Sequence, residues 1–119
     1  VKQCRSSSKE PLEWQIQSGI LKWLRYQKDV YVIRVNPVGI PLANGKYRPS
    51  GMKGVSDIIC CVRGQFLAIE VKRNSRSKIT EEQVSFLKGI KNTGGYAIVA
   101  TDLNNVISVV ERIRNAVLQ

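Results

Sequence analysis

Two apolar stretches near the middle of the chain are separated by only Arg63-Gly64, one covering residues 54–62 and the other residues 65–72. A two-residue link between β-rich runs specifies a tight antiparallel hairpin. Ile58, Cys60 and Val62 alternate on one face, and Ile59, Cys61, Phe66 and Ala68 on the other. The hairpin is therefore expected at the centre of a sheet covered on both sides, with charge confined to one end. Pairing Val62 with Gln65 carries the register back to Asp57 opposite Glu70. Opposed side chains hold their Cβ atoms roughly 4.5–5.5 Å apart, and like charges there are destabilising. A bound cation would reverse that sign. Lys72, two residues beyond Glu70, projects from the same face. Two readings stand: a salt bridge in which Lys72 neutralises both acids, or an oxygen-ligand set for a hard cation.

Around the hairpin the hydrophobic period alternates between helix and strand. Leu12, Ile16, Ile20, Trp23 and Leu24 form one stripe of a helix spanning about residues 10–28, followed by a strand at 30–36. Residues 37–53 carry Pro37, Gly39, Pro41, Gly45, Pro49 and Gly51 and read as a long loop, either substrate-facing or merely solvated. Thr80 and Gln83 fit a capping box that opens a second helix, with Val84, Leu87 and Ile90 inward and Gly94-Gly95 ending it. A strand at 96–101 precedes a helix capped by Asp102, whose apolar positions are Val106, Val109, Val110, Ile113 and Val117. The order αβββαβα makes this an α/β domain with a mixed central sheet flanked by helices. Residues 1–9 are a polar, Ser-rich tail, and residues 10–119 form a single domain.

Composition narrows the chemistry. The 119 residues hold 19 Lys+Arg against 9 Asp+Glu, a net charge of +10, and no histidine. Chemistry that rests on an imidazole base or ligand is thereby excluded. The three cysteines have no CxxC spacing, which removes zinc and points to reduced thiols in a cytosolic protein. No apolar run approaches the roughly 18 residues of a membrane span. A small basic domain expects an anionic partner, most often nucleic acid. Between Lys46 and Lys78 lie eight basic residues, including Lys46, Arg48, Lys53, Arg73, Arg76 and Lys78, against only Asp57 and Glu70. These six are the candidate phosphate contacts.

Asp57, followed after a short hairpin by Glu70-Val71-Lys72, resembles the PD-(D/E)XK nuclease superfamily. The fuller string is Glu13-x-x-Ile16-Gln17, Lys53-Gly54-Val55-Ser56-Asp57, Phe66-Leu67-Ala68-Ile69-Glu70-Val71-Lys72, Thr80-x-x-Gln83 and Gly94-Gly95-Tyr96-Ala97. Together these are similar to the virus-type replication-repair nuclease (VRR-NUC) family. One position departs: Ser56 stands where the family has Pro, a residue that shapes the backbone and is not a ligand.

The resemblance implies a restriction-endonuclease-like αβββαβ core and a structure-selective DNA endonuclease. Asp57 and Glu70 would hold Mg²⁺ or Mn²⁺ with the backbone carbonyl of Val71. Glu13 would add a ligand directly or through water, although Glu10 competes for that role and either acid would also suit the helix dipole. Lys72 would orient the attacking water. Gln83 would brace the site, or serve only as a helix cap. Likeness to Holliday junction resolvases implies branched DNA and a homodimer, and the VRR-NUC resemblance implies a phage or prophage source; no small-molecule cofactor is expected. A flap or nicking nuclease within a larger complex, or a DNA-binding nuclease fold without catalysis, are the alternatives.

Overall fold

The computed structural model describes residues 10–35, 40–48 and 53–118. The expected tail at 1–9 lies outside them. Among the described residues the elements follow in chain order: α1 Glu13–Tyr26, β1 Val30–Arg34, β2 Ile40–Pro41, β3 Tyr47–Arg48, β4 Ile58–Val62, β5 Gln65–Val71, α2 Glu81–Asn92, β6 Tyr96–Ala100 and α3 Leu103–Val117. The four long strands form one sheet in the order β1-β4-β5-β6, with β2 and β3 a separate two-stranded ribbon. β1 and β5 pair antiparallel to β4, and β6 runs parallel to β5, so the sheet is mixed.

Arg63 at φ 50° and Gly64 at φ 86° give the left-handed pair that a tight hairpin turn needs. The register is the expected one: Val62 faces Gln65 and Ile58 faces Ile69. Local chemistry sets the boundaries of the neighbouring elements. The first helix begins at Glu13 rather than near residue 10, and the Leu12 N–H donates to Gln15 Oε1 at 2.7 Å. It ends at Tyr26, before the expected residue 28, because Gln27 is already extended. The strand expected from residue 54 starts only at Ile58, since Gly54 turns the backbone with φ +81°. The β2–β3 ribbon was not expected inside a loop so rich in Pro and Gly, and it has only two residue pairs.

α1 and α3 pack on one face of the sheet. Ile58, Cys60, Val62, Leu67, Ile69 and Val71 meet Ile16, Ile20, Leu24, Val106, Val109, Val110 and Ile113 in the main core. α2 covers the other face only over β5 and β6, where Leu87 buries against Ala68 and Ala97. The hairpin is thus not covered on both sides. Tyr31, Ile33, Cys61 and Phe66, on the α2 side of β1, β4 and β5, stay exposed. The inward face of α2 is also rotated from expectation. Gln83, Phe86, Leu87 and Ile90 face the sheet at helical spacing, while Val84 is exposed, because the helix sits over two strands rather than four. Val117 lies in the last turn of α3, beyond the core that ends at Ile113, and is exposed.

The end of the sheet away from Asp57 is tied by charge. Arg114 on α3 donates to Asp29 at 2.7 and 2.8 Å, to Gln27 at 3.0 Å and to Glu111 at 2.8 Å. Arg63 at the hairpin turn donates its backbone N–H to the Asp29 carbonyl at 3.1 Å. The Arg114 guanidinium holds the Asp29 carboxyl below its ordinary range. No helix among the described residues is long and apolar enough to cross a membrane.

Candidate active site

The period-two alternation of β5 sends Ile69 and Val71 into the main core and Glu70 to the opposite face. Asp57 precedes β4 by one residue, and two backbone contacts fix it. Its carbonyl accepts from the Val35 N–H at 2.8 Å, and its Oδ2 accepts from the Val71 N–H at 2.7 Å. Just before it, Ser56 is fully buried and donates Oγ–H to the Ile58 carbonyl at 3.1 Å. That bond satisfies the hydroxyl at the place where the family carries Pro.

Glu70 is 3% exposed. Its Oε2 accepts from Gln83 Nε2 at 3.0 Å and lies 3.7 Å from Lys72 Nζ. Among the described residues its Oε1 is buried with no hydrogen-bond partner. Burial, followed by the facing Asp57 carboxylate, pushes the Glu70 carboxyl up to about 8, and Lys72 only partly offsets them. The salt-bridge reading of the triad is therefore incomplete: Lys72 does not neutralise two acids. A buried carboxylate oxygen with an empty acceptor position, beside a second carboxylate, is what a hard cation satisfies. The donor set fits a divalent ion.

Gln83 does both things the sequence left open. Its Oε1 accepts from the Thr80 N–H at 3.0 Å and its backbone N–H donates to Thr80 Oγ1 at 3.1 Å, completing the capping box. Its remaining amide group reaches Glu70. Gly54 makes this docking possible. A Cβ there would lie 2.8 Å from Gln83 N and collide with the Glu82 carbonyl group.

The other expected site residues are less converged. Glu13 opens α1 and is exposed; its charge is felt at Glu70, but more weakly than that of Asp57. Among the described residues no group of three or more Asp, Glu, His or Cys is placed to hold a metal ion, so Asp57 and Glu70 stand as a pair. Glu10, the rival to Glu13, points elsewhere: it pairs with Arg73 and Arg76 on the β5–α2 loop. Lys46 is exposed at the β2–β3 turn, Lys53 lines a groove of about 390 Å³ beside α2, and Lys78 is exposed ahead of α2. Arg48 lies in β3, with its side chain outside the described residues. Gly54 was missed as a site-shaping residue, and the hydrogen bond of Asn74 to Glu10 was not foreseen. For Gly54 the signal was its place directly after Lys53 in a breaker-rich stretch; for Asn74 it was a polar Asn-x-x-Ser turn.

The four-stranded mixed sheet flanked by three helices is an α/β fold consistent with a restriction-endonuclease-like core. No family model and no curated protein matches the sequence. Among solved structures, a VRR_NUC domain protein is similar over 87% of this chain and 88% of its own, with 27% identity and a TM-score of 0.65. A second, described as a VRR_NUC domain, has the same fold over 83% of this chain and 94% of its own, at 17% identity and a TM-score of 0.60. The chain is thus similar in fold to VRR_NUC domain proteins.

Proposed function

We propose that this chain is a divalent-metal-dependent DNA endonuclease, selective for branched structures such as Holliday junctions and working as a homodimer. The observation that carries the reading is the unpartnered, buried Glu70 Oε1 beside Asp57. A domain of net charge +10 has no structural need to keep two acids, only partly offset by Lys72, at the end of its central hairpin.

Asp57 and Glu70 would hold Mg²⁺ or Mn²⁺, with the Val71 carbonyl beside them and Glu13 reaching it through water. When bound, such an ion lowers the pKa of water and neutralises charge on the phosphate. The chain's own groups do the rest. The Val71 N–H orients Asp57, and Gln83 fixes one oxygen of Glu70 so that the other stays free. Lys72, with its side chain 12% exposed, donates hydrogen bonds to the attacking water and to the non-bridging oxygen that gains charge. Lys72 would position the water rather than abstract its proton. Lys46, Arg48, Lys53, Arg73, Arg76 and Lys78 would hold the phosphate backbone without reading sequence.

The exposed apolar face formed by Tyr31, Ile33, Cys61 and Phe66 supports the homodimer. It is uncharged on a strongly basic protein, where two copies could meet without opposing their Lys and Arg side chains. The test is cleavage of labelled four-way junction, flap, linear duplex and single strand with Mg²⁺, with Mn²⁺ and with EDTA, with Asp57→Asn and Lys72→Ala alongside. Paired metal-dependent nicks confined to the junction and lost in both variants are expected. Preference for flaps would replace the junction reading, and binding without cleavage under either metal would leave a DNA-binding module.

A further inference from the structure

The loop between β5 and α2 is closed by its own polar groups. Asn74 Oδ1 accepts from the Arg76 N–H at 2.9 Å, the Ser77 N–H donates to the Asn74 carbonyl at 3.1 Å, and the Asn74 N–H donates to Ser77 Oγ at 3.3 Å. This turn gathers the side chains of Arg73, Asn74 and Arg76 around one anion, and the anion is the carboxylate of Glu10. Asn74 Nδ2 donates to Glu10 Oε1 at 2.9 Å, and Arg73 Nε lies 3.9 Å from the same oxygen. Arg76 Nη2 donates to Glu10 Oε2 at 3.2 Å. Arg73 Nη2 also reaches the Glu10 carbonyl at 3.4 Å. Two guanidinium groups and an amide thus share the two oxygens of a single negative charge. A phosphodiester presents the same charge and the same pair of oxygens.

We propose that Arg73, Asn74 and Arg76 form a phosphodiester subsite that Glu10 occupies as an internal stand-in, and that a DNA backbone phosphate takes its place on binding. The proposal rests on the nucleic-acid reading above and adds to it a competitor built into the chain. Three features favour exchange over a permanent brace. Glu10 is 47% exposed and Arg76 75%, so their ion pair is a weak solvent-screened one. Glu10 precedes α1, whose cap is Leu12, so releasing it breaks no helical hydrogen bond. Arginine forks match phosphate oxygens in the same bidentate geometry as carboxylate oxygens.

The two roles predict opposite signs. If Glu10 competes with phosphate, Glu10→Gln binds DNA more tightly; if it braces the loop, the same change weakens binding. Affinity for a fluorescein-labelled duplex would be read by anisotropy in EDTA from 50 to 200 mM salt. Relative to wild type, Glu10→Gln is expected to bind about 3- to 5-fold tighter, the size of an exposed ion pair released. Glu111→Gln, an equal charge change on α3, controls for net charge. The gain should vanish in the Arg76→Ala background. Unchanged or weaker binding by Glu10→Gln overturns the proposal, as does a gain that persists without Arg76.

A small probe separates this from the nuclease reading. The trinucleotide d(TpTpT) should shift the Asn74 side-chain amide in NMR spectra, and at lower concentration in Glu10→Gln than in wild type. No shift in either protein overturns the subsite while leaving metal-dependent cleavage to be judged separately. A shift without cleavage of any DNA would keep the subsite and remove the enzyme.

Discussion

Gln83 joins a helix cap to a buried acid: one end of its amide accepts from Thr80 and the other donates to Glu70, each at 3.0 Å. The start of α2 and the candidate metal position are therefore set by one side chain. Thr80→Ala removes only the Oγ1 acceptor of the Gln83 N–H and should cost about 1 kcal/mol. Gln83→Ala also strands Glu70 Oε2 and should cost about 1–2 kcal/mol, with at least a tenfold loss of cleavage. Urea unfolding and single-turnover cleavage on both variants check this. Equal cleavage by the two would show that the contact to Glu70 does nothing for the reaction.

Stability of the metal-free protein should fall as pH rises from about 4.5 to about 8. Glu70 is held in its protonated form in the fold, chiefly by burial and then by Asp57, so the folded state binds the proton that the unfolded state has released. Its contribution is fully present below the ordinary carboxylate value and is lost as pH passes through about 8. Urea midpoints measured in EDTA across that window should decline for wild type and stay level for Glu70→Gln. Mg²⁺ or Mn²⁺ should restore the wild-type midpoint above pH 8. A level wild-type profile would contradict the shift.

Gly54→Ala should be among the most damaging single-methyl changes in the chain. Its φ of +81° disfavours a side chain, and the new Cβ would press on backbone of α2 that cannot rotate away. About 2–4 kcal/mol is expected, from left-handed strain plus displacement of the helix. Gly45, also at positive φ but with open space around it, supplies the comparison. Gly45→Ala should cost only the strain, about 1 kcal/mol. Thermal unfolding of the pair reads the difference.

Asp29→Ala tests the opposite end of the sheet. It leaves Arg114, with its side chain 20% exposed, without its main partner and should cost about 1–3 kcal/mol. Because the Asp29 carboxyl is held low, its contribution is present above the ordinary Asp value and disappears as pH falls through the folded one. Wild type should therefore lose stability more steeply than the variant below pH 4. Cleavage at a permissive temperature should be unaffected.

Alternation and turn chemistry made the hairpin legible: Arg63-Gly64 fixed the pairing, and the pairing alone put Asp57 against Glu70. The two capped helices were legible for the same local reason, since Thr80 and Asp102 are strong caps. Tertiary coverage was not. Nothing in the pattern of α2 told that it would cover two strands and leave Cys61 and Phe66 exposed, because an apolar residue reads alike whether a helix or another molecule is to cover it. The partnership of Glu10 with Arg76 spans most of a domain in sequence and depends on where a loop folds back. Local spacing carries no record of that.

β5 has one further property. Its odd-numbered residues Leu67, Ile69 and Val71 build the core while the even-numbered Glu70 builds the site, so a slip of one residue would drive a carboxylate into the aliphatic layer. The turn that forbids the slip lies at the far end of the strand, roughly 20 Å of chain from Glu70. The hairpin thus proofreads itself: a misaligned copy cannot persist as a folded molecule with a faulty site, because the error that disarms the chemistry also unseats the core.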